Sequence, residues 1–338
     1  MHRQQIQDIQ EFVNDFRYSE QLRGTTFLVT GATGLIGSSL IRCLTALEAD
    51  IQILAPVRNM AKAWQMFGNP DNVMFVSGDL ATMDYASMGC ADYIIHCAAP
   101  TASRYFVEHP VQTFRTIIDV TEHLLDYARD INVKGFIYLS SLEVYGQVPD
   151  SATLLTEDYQ GYLDPASVRS SYPIAKRAAE NLCSIYASQY GIRTMTARLT
   201  QTTGAGIAMD DNRIIASFAR KAALGQDIIL HTTGLSARPY CYVTDAVSAL
   251  LTIALHGQKG TAYNVANPQT YISARGMAEW LRDNINPHIM VHVEPNDDMG
   301  YAPETFHRLD TGRLNSLGWE PRYGLREIFE RLINYLTT

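Results

Sequence analysis

From residue 26 onward, short unbroken apolar runs take turns with longer stretches in which apolar residues recur every three or four positions. The runs are Thr26-Phe-Leu-Val29, Ile51-Gln-Ile-Leu-Ala55, Val73-Met-Phe-Val76, Tyr93-Ile-Ile95 and Phe136-Ile-Tyr-Leu139. A strand covered on both faces has no solvent side and needs no polar alternation, whereas a helix lying over it needs apolar residues along one stripe only. The alternation therefore predicts an α/β fold, a doubly wound parallel sheet with helices on both faces. A sixth strand is predicted over 194–199. Ahead of the first strand, Ile6, Ile9, Val13 and Phe16 fall at helical spacing and predict an amphipathic helix that packs on the core. Past about residue 200 the pattern breaks into loops containing Gly, Asp and Pro, and helices predicted over 214–223 and 274–283 belong to no strand repeat. The expected organisation is a helical extension over 1–24, a sheet domain over 25–199, and a smaller C-terminal lobe over 200–338. No low-complexity linker separates the last two, so they are expected to interleave.

The most specific segment, Thr30-Gly-Ala-Thr-Gly-Leu-Ile-Gly37, closes the first strand and opens a helix over 35–47. In that context Gly31 permits a tight turn, Gly34 lets backbone N–H groups approach a pyrophosphate, and Gly37 lets helix and strand pack closely. Thr33, Leu35 and Ile36 complete the approach to a helix N-terminus that faces the phosphates. This is a Rossmann cradle, and it assigns residues 25–199 to NAD(P) binding.

Composition narrows the partners. The chain has 338 residues, 46% of them hydrophobic and 18% charged, enough for such a domain and a second lobe. A net charge of −8 without any basic block argues against nucleic acid or an anionic membrane surface, so an anionic ligand must be met by local arginines. The N-terminal Met-His-Arg-Gln-Gln-Ile-Gln-Asp is too polar for a signal sequence, and no apolar run reaches the roughly 18 residues of a membrane span. A cytoplasmic location is expected. Cys43, Cys90, Cys97, Cys183 and Cys241 show no C-x-x-C spacing and are read as reduced thiols, mostly core filler, with no metal site.

Chemistry enters with Tyr172 and Lys176. Four residues apart, they project from one face of a helix, which sets the ammonium beside the phenol. A positive charge there stabilises a phenolate and lowers the tyrosine pKa, making Tyr172 a general base toward a sugar or alcohol hydroxyl. Such a pair is commonplace by itself. It gains meaning beside the glycine cradle and Ser141, which ends the predicted fifth strand in Leu139-Ser-Ser-Leu-Glu-Val-Tyr-Gly146. Open α/β sheets bind ligands at the carboxyl ends of their strands, where the Ser141 hydroxyl would meet the reacting oxygen.

With these residues together, nearly the whole chain resembles an extended short-chain dehydrogenase/reductase of the nucleotide-sugar epimerase, dehydratase and decarboxylase group. Further matching segments are Gly78-Asp79-Leu80, His96-Cys-Ala-Ala-Pro100, Glu143-Val-Tyr-Gly146, Arg238-Pro-Tyr-Cys-Tyr-Val-Thr-Asp245 and Leu317-Gly-Trp-Glu-Pro321. The resemblance implies that Asp79 and Leu80 flank the adenine, that Ala98, Tyr172 and Lys176 line the cofactor, and that Arg238 sits near the diphosphate of a nucleotide-sugar substrate. Arg213 and Arg308 are further substrate candidates, and a surface ion pair is the alternative for Arg238 and Arg308 alike. Arg169-Ser-Ser-Tyr172 and the segment around Asp211-Asn-Arg213 look most like UDP-glucuronate decarboxylases. A homodimer through two helices, one of them carrying Tyr172, is also implied.

In that group the reaction begins with oxidation at C4 to a 4-keto sugar, and an epimerase, a dehydratase and a decarboxylase differ in the fate of that ketone. Glu143 resembles the glutamate that dehydratases and decarboxylases use, which makes it a catalytic candidate, the base for a ring proton after C4 oxidation; the alternative is that it hydrogen-bonds backbone at the strand end. Leu142 departs from both: dehydratases carry Asp there to protonate the leaving hydroxyl, and decarboxylases generally carry Ser. Ile117 is a second departure, falling where the group usually has Asn. The resemblance thus implies an epimerase or decarboxylase, with dehydratase last. At the end of the second strand, Ala55-Pro-Val-Arg58 offers no acidic residue for the adenosine ribose. Arg58 would pair with a 2′-phosphate or simply cover adenine, so NAD and NADP both remain open. An NADPH-dependent reductase of a nucleotide-linked keto sugar therefore stands as an alternative. So does a non-catalytic dinucleotide-binding regulator, against which the intact Ser141, Tyr172 and Lys176 argue.

Overall fold

The computed structural model describes residues 1–101, 103–148, 150–296 and 304–337. In chain order, α1 (Arg3–Asp15) precedes β1 (Thr26–Thr30), α2 (Leu35–Ala46), β2 (Gln52–Val57), α3 (Met60–Phe67), β3 (Val73–Ser77) and β4 (Tyr93–His96). Next come α4 (Ser103–Glu108), α5 (Pro110–Asp130), β5 (Gly135–Ser141), β6 (Leu154–Leu155), α6 (Ser171–Gln189) and β7 (Thr194–Leu199). The C-terminal part holds β8 (Gln201–Thr203), α7 (Ile214–Leu224), β9 (Ile228–Leu230), β10 (Ala237–Tyr242), α8 (Val243–His256), β11 (Thr261–Val265) and β12 (Asn267–Ser273). It ends with α9 (Ala274–Asn284), β13 (Val291–Val293), β14 (Arg308–Leu309), α10 (Gly312–Asn315) and α11 (Leu325–Thr337).

Seven parallel strands form the main sheet in the order β11-β7-β5-β4-β1-β2-β3. The chain winds outward from β1 through β2 to β3, then crosses back to β4 and proceeds the other way. Its switch point lies between β1 and β4, where such sheets open a ligand crevice. Both faces are buried: Phe27 and Val29 point into one core with Leu40, Val247 and Leu250, and Leu28 points into the other with Leu124 and Tyr172. That is why the strands read as apolar runs.

The six predicted strands are all present, and the sheet takes a seventh, β11, from beyond residue 199. Its sequence, Thr261-Ala-Tyr-Asn-Val265, is not an apolar run. Asn264 is nonetheless fully buried, because its backbone N–H meets Glu157 and its side-chain amide meets the Leu155 and Asp310 carbonyls. A second sheet, ordered β12-β10-β8, grows from the carboxyl ends of the first, since β8 starts two residues after β7 ends and β12 starts two after β11. The smaller lobe, with its own core of α7, α9 and α11, thereby sits at the edge where β1 and β4 end.

Helix α1 forms where its spacing predicts and packs on α2, α8 and α11. Its buried face is different from the predicted one: Gln4, Asp8 and Phe12 face inward with Phe16, while Ile6 is exposed and Ile9 and Val13 are half-buried. The reason is polar. Asp8 accepts hydrogen bonds from Tyr242 and Arg331, and these partners turn that side of the helix toward the core. No helix among the described residues is long and apolar enough to cross a membrane.

Candidate active site

The turn after β1 is built around missing side chains. Gly31 has φ +68°, and a β-carbon there would lie 2.9 Å from the Ala98 nitrogen, in the segment following β4. At Gly37 a β-carbon would come within 2.3 Å of the Gly31 carbonyl oxygen, so α2 packs against the turn only because residue 37 is glycine. Gly34 is the exposed N-cap of α2, with no side chain capping the helix and no acidic residue in its first turn. N–H groups at such a helix end suit a pyrophosphate, and the half-buried Thr33, Leu35 and Ile36 lie beside them. These residues fit a nicotinamide dinucleotide.

A buried hydrogen-bond relay holds the two sides of this crevice together. The Ala98 N–H donates to Thr30 Oγ1 at 3.1 Å, and that hydroxyl lies 2.8 Å from His96 Nδ1. On the far side, His96 Nε2 lies 3.3 Å from Thr121 Oγ1, which donates to the Ile117 carbonyl at 2.6 Å. Each hydroxyl has one proton, so Thr30 gives its proton to Nδ1 and Thr121 accepts from Nε2–H, which sets the tautomer. Burial, with Lys176 nearby, pushes the His96 pKa down to about 3 and keeps the ring neutral.

Around the predicted adenine side, Asp79 is exposed and its Oδ1 accepts from the Ala81 N–H at 2.9 Å. The Leu80 carbonyl accepts from Tyr85 at 2.7 Å and from His123 Nδ1 at 3.2 Å, which fixes the loop after β3. Arg58 is exposed just past β2 and forms no ion pair among the described residues.

Ser141, Tyr172 and Lys176, from β5 and α6, come together. The Ser141 hydroxyl accepts from the Glu143 N–H at 3.2 Å and lies near enough to the Tyr172 phenol to favour its ionised form. Lys176 Nζ is buried 5.8 Å from the Tyr172 ring centroid, lies 4.7 Å from the Tyr138 ring, and donates to the Leu139 carbonyl at 2.6 Å. Ile117 is buried, and the backbone acceptor at Lys176 is Leu139. The expected lowering of the tyrosine pKa is reversed. Tyr172 is stacked on Phe106 with centroids 4.2 Å apart, and burial raises its pKa. Glu143 adds to that rise, while the Ser141 hydroxyl and Arg169 oppose it. Burial also lowers Lys176 to about 8, so its ammonium is itself weakened by the same enclosure.

Glu143 stands just past Ser141 and is paired with Arg169 at 2.9 Å. The Arg169 guanidinium lies 5.1 Å from the Phe106 ring centroid, and its Nη1 is buried without a hydrogen-bond partner among the described residues. Leu142 points away, into a small apolar cluster with Tyr145, Val148, Leu155 and Leu309. Tyr145, the anchor of this turn, donates to Asn264 at 2.6 Å and receives Arg198 at 3.2 Å.

The three arginines expected to meet substrate fare differently. Arg213 is engaged by Asp211 at 2.6 Å and by the Thr202 carbonyl at 3.0 Å. Arg238, half-buried on β10, and Arg308, exposed on β14, form no ion pairs among the described residues, and a bridge between Ala237 and Phe306 brings their segments side by side. Arg169, Phe106 and His307 belong to this neighbourhood as well, yet nothing in their spacing marks them. For the Thr30 and His96 pair a signal exists: polar residues end two otherwise apolar strands that register next to each other.

A model described as the NAD dependent epimerase/dehydratase family matches residues 27–266. UDP-glucuronic acid decarboxylase 6 of Arabidopsis thaliana is 30% identical over 308 residues, covering 89% of this chain and 85% of that protein. UDP-glucuronic acid decarboxylase 1 of Danio rerio is 26% identical over 318 residues, covering 92% and 72% respectively. Among solved structures, UDP-glucuronic acid 4-epimerase from Bacillus cereus, in complex with UDP-glucuronic acid and NAD, matches with a TM-score of 0.77 at 20% identity, covering 92% of this chain and 98% of that one. RMD from Pseudomonas aeruginosa complexed with NADPH matches with a TM-score of 0.75 at 24% identity, covering 93% and 99%. The structural likenesses establish a shared fold.

Proposed function

The chain belongs to the NAD dependent epimerase/dehydratase family, and from that premise we propose that it decarboxylates a nucleotide-linked uronic acid by transient oxidation at C4. The observation that carries this is the pairing of Glu143 with Arg169 beside Tyr172, together with the turning of Leu142 into the core. A dehydratase needs an acid for the leaving hydroxyl, and residue 142 supplies none. A 4-keto uronate needs no such acid, because its carboxylate is β to the ketone and the C5–C6 bond breaks with its electrons drawn toward the carbonyl oxygen. Similarity to UDP-glucuronic acid decarboxylases over 89% of the chain supports the same choice.

In this mechanism the Ser141 hydroxyl orients the C4 oxygen, and Tyr172, acting as a phenolate that the Lys176 charge favours, takes the C4 hydroxyl proton and becomes the neutral phenol. Gly31, Gly34, Gly37 and Ala98 would hold the nicotinamide dinucleotide, which would supply a hydride acceptor when bound. Arg169 is placed to meet the substrate carboxylate through its unpaired Nη1, and Glu143 holds it there. Arg58 favours one other reading, a net reductase using NADPH, because an exposed arginine at the end of β2 suits a 2′-phosphate.

Mass spectrometry of products from UDP-glucuronate, UDP-glucose and dTDP-glucose tests the proposal. Loss of carbon dioxide from UDP-glucuronate is expected. Unchanged mass with inversion at C4 would make the enzyme an epimerase, and stoichiometric NADPH consumption a reductase. A homodimer is proposed with it: Ile185 on α6, the Tyr172-bearing helix the family resemblance points to, and Val111 and Phe114 on α5, which packs against it, are exposed apolar residues, and sedimentation should give twice the chain mass.

A further inference from the structure

His307 lies between the turn that carries Ser141 and Glu143 and the strand that carries Arg238, and neither dinucleotide binding nor the C4 chemistry uses it. It is only 5% exposed, and among the described residues neither Nδ1 nor Nε2 makes a hydrogen bond. Its backbone is fixed. The His307 N–H donates to the Ala237 carbonyl at 2.9 Å, the Phe306 N–H donates to the Val148 carbonyl at 3.1 Å, and β14 begins at the next residue, paired with β6. The Gly146 backbone approaches the ring without reaching hydrogen-bond geometry and pulls its pKa slightly up, and the Arg238 guanidinium is its charged neighbour.

Polar atoms buried without partners are rare in folded proteins because each forfeits its hydration, and a rigid strand end offers no easy way to relieve it. Two such atoms on one ring, beside an arginine that forms no ion pair among the described residues, call for a ligand group that satisfies them. Burial and the Arg238 charge push His307 down to about 4, so the ring is neutral at physiological pH and offers one donor and one acceptor. That pattern does not suit a phosphate, which wants donors only and has Arg238 at hand. It suits a hydroxyl, which is donor and acceptor at once.

We propose that His307 is a specificity residue that hydrogen-bonds a hydroxyl of the pyranose in a nucleotide sugar, while Arg238 takes the adjoining diphosphate. This rests on the nucleotide-sugar reading of the site. It predicts that the enzyme separates sugars by the hydroxyl facing His307, and that the ring contributes nothing to the nucleotide alone.

Titration calorimetry on the full-length enzyme with UDP-glucuronate, UDP-glucose and UDP as probes decides it, using His307→Phe, which keeps the ring without its nitrogens, and His307→Asn, which keeps a donor and an acceptor. His307→Phe should weaken binding of the UDP-sugar by about tenfold, the worth of a neutral hydrogen bond, and leave UDP unchanged. His307→Asn should recover part of the loss. Equal weakening of UDP and UDP-sugar in both variants would overturn the proposal. So would unchanged UDP-sugar affinity with a lowered melting temperature, which marks a ring serving the fold alone. Wild-type enzyme that binds NAD or NADP but none of the three uridine probes would instead overturn the nucleotide-sugar reading itself, and the inference with it.

Discussion

Burial sets the chemistry of Tyr172 and Lys176 more than their mutual charge does. The phenol, stacked on Phe106 and close to Glu143, is held protonated by that enclosure and must give up its proton before it can serve as the base of the proposed reaction. Tyr172→Phe preserves the stack and removes only the hydroxyl, so turnover should fall about 10²–10⁴-fold with dinucleotide affinity retained, as equilibrium titration would read. Lys176 has a distinct signature. Its folded-state pKa of about 8 lies below the ordinary 10.5, so the charge is present below that value and is lost above it. Turnover that depends on the ammonium should therefore decline as pH rises through about 8. Stability moves the other way: the unfolded chain holds this proton more firmly, and the Lys176 contribution to folding grows as pH rises from about 8 toward 10.5. A kcat profile that is flat across this range would remove Lys176 from the mechanism. Spacing alone brings the phenol and the ammonium to one helical face, but it is silent on their enclosure, because the enclosing residues Phe106 and Tyr138 come from other elements.

Between elements, the contact that matters most is α2 against the turn after β1. A β-carbon at position 37 would sit 2.3 Å from the Gly31 carbonyl, and neither backbone segment can yield without moving the helix end that presents its N–H groups. Gly37→Val should cost about 1–3 kcal/mol in chemical denaturation and abolish dinucleotide binding. The His96 relay links β1, β4 and α5 in the same way. Thr121→Val leaves Nε2–H buried without an acceptor, and a loss of about 1–3 kcal/mol is expected by the same measurement. Most strands and helices of the sheet domain were legible as apolar periodicity, since a doubly covered strand has to be apolar whatever its neighbours. β11 was not, because its Asn264 is satisfied by Glu157 and by carbonyls more than forty residues away in sequence.

At the scale of the whole molecule, α1 clamps the two lobes. Arg331 on α11 reaches Asp8 at 2.5 Å and Glu11 at 2.8 Å, with the Tyr323 ring 4.4 Å away, and Tyr242 donates to the same Asp8. The carboxylate of Asp8 is buried, so removing its cation leaves a charge with no route to water. Arg331→Met should destabilise the protein by about 3 kcal/mol, the low end for a broken buried pair because Gln4 and Tyr242 still donate to Asp8. Urea denaturation measures this. A loss near zero would mean that α1 lies on the lobes without tying them.

What the sequence by itself determined is everything whose cause is local or periodic. Glycines at 31 and 37 are needed where the backbone turns and closes up, Tyr172 and Lys176 share a helical turn, and buried strands declare themselves by having no polar side. The tertiary structure alone decided what depends on which distant atoms meet. It paired Glu143 with Arg169 across 26 residues, turned Leu142 into the core, and set His307 beside Arg238 with its nitrogens unpaired. It also turned α1 so that Asp8 faces inward, against its apolar stripe. The physical reason is that the cost of burying a polar group is settled by its partner, and the partner is fixed only when the chain has folded.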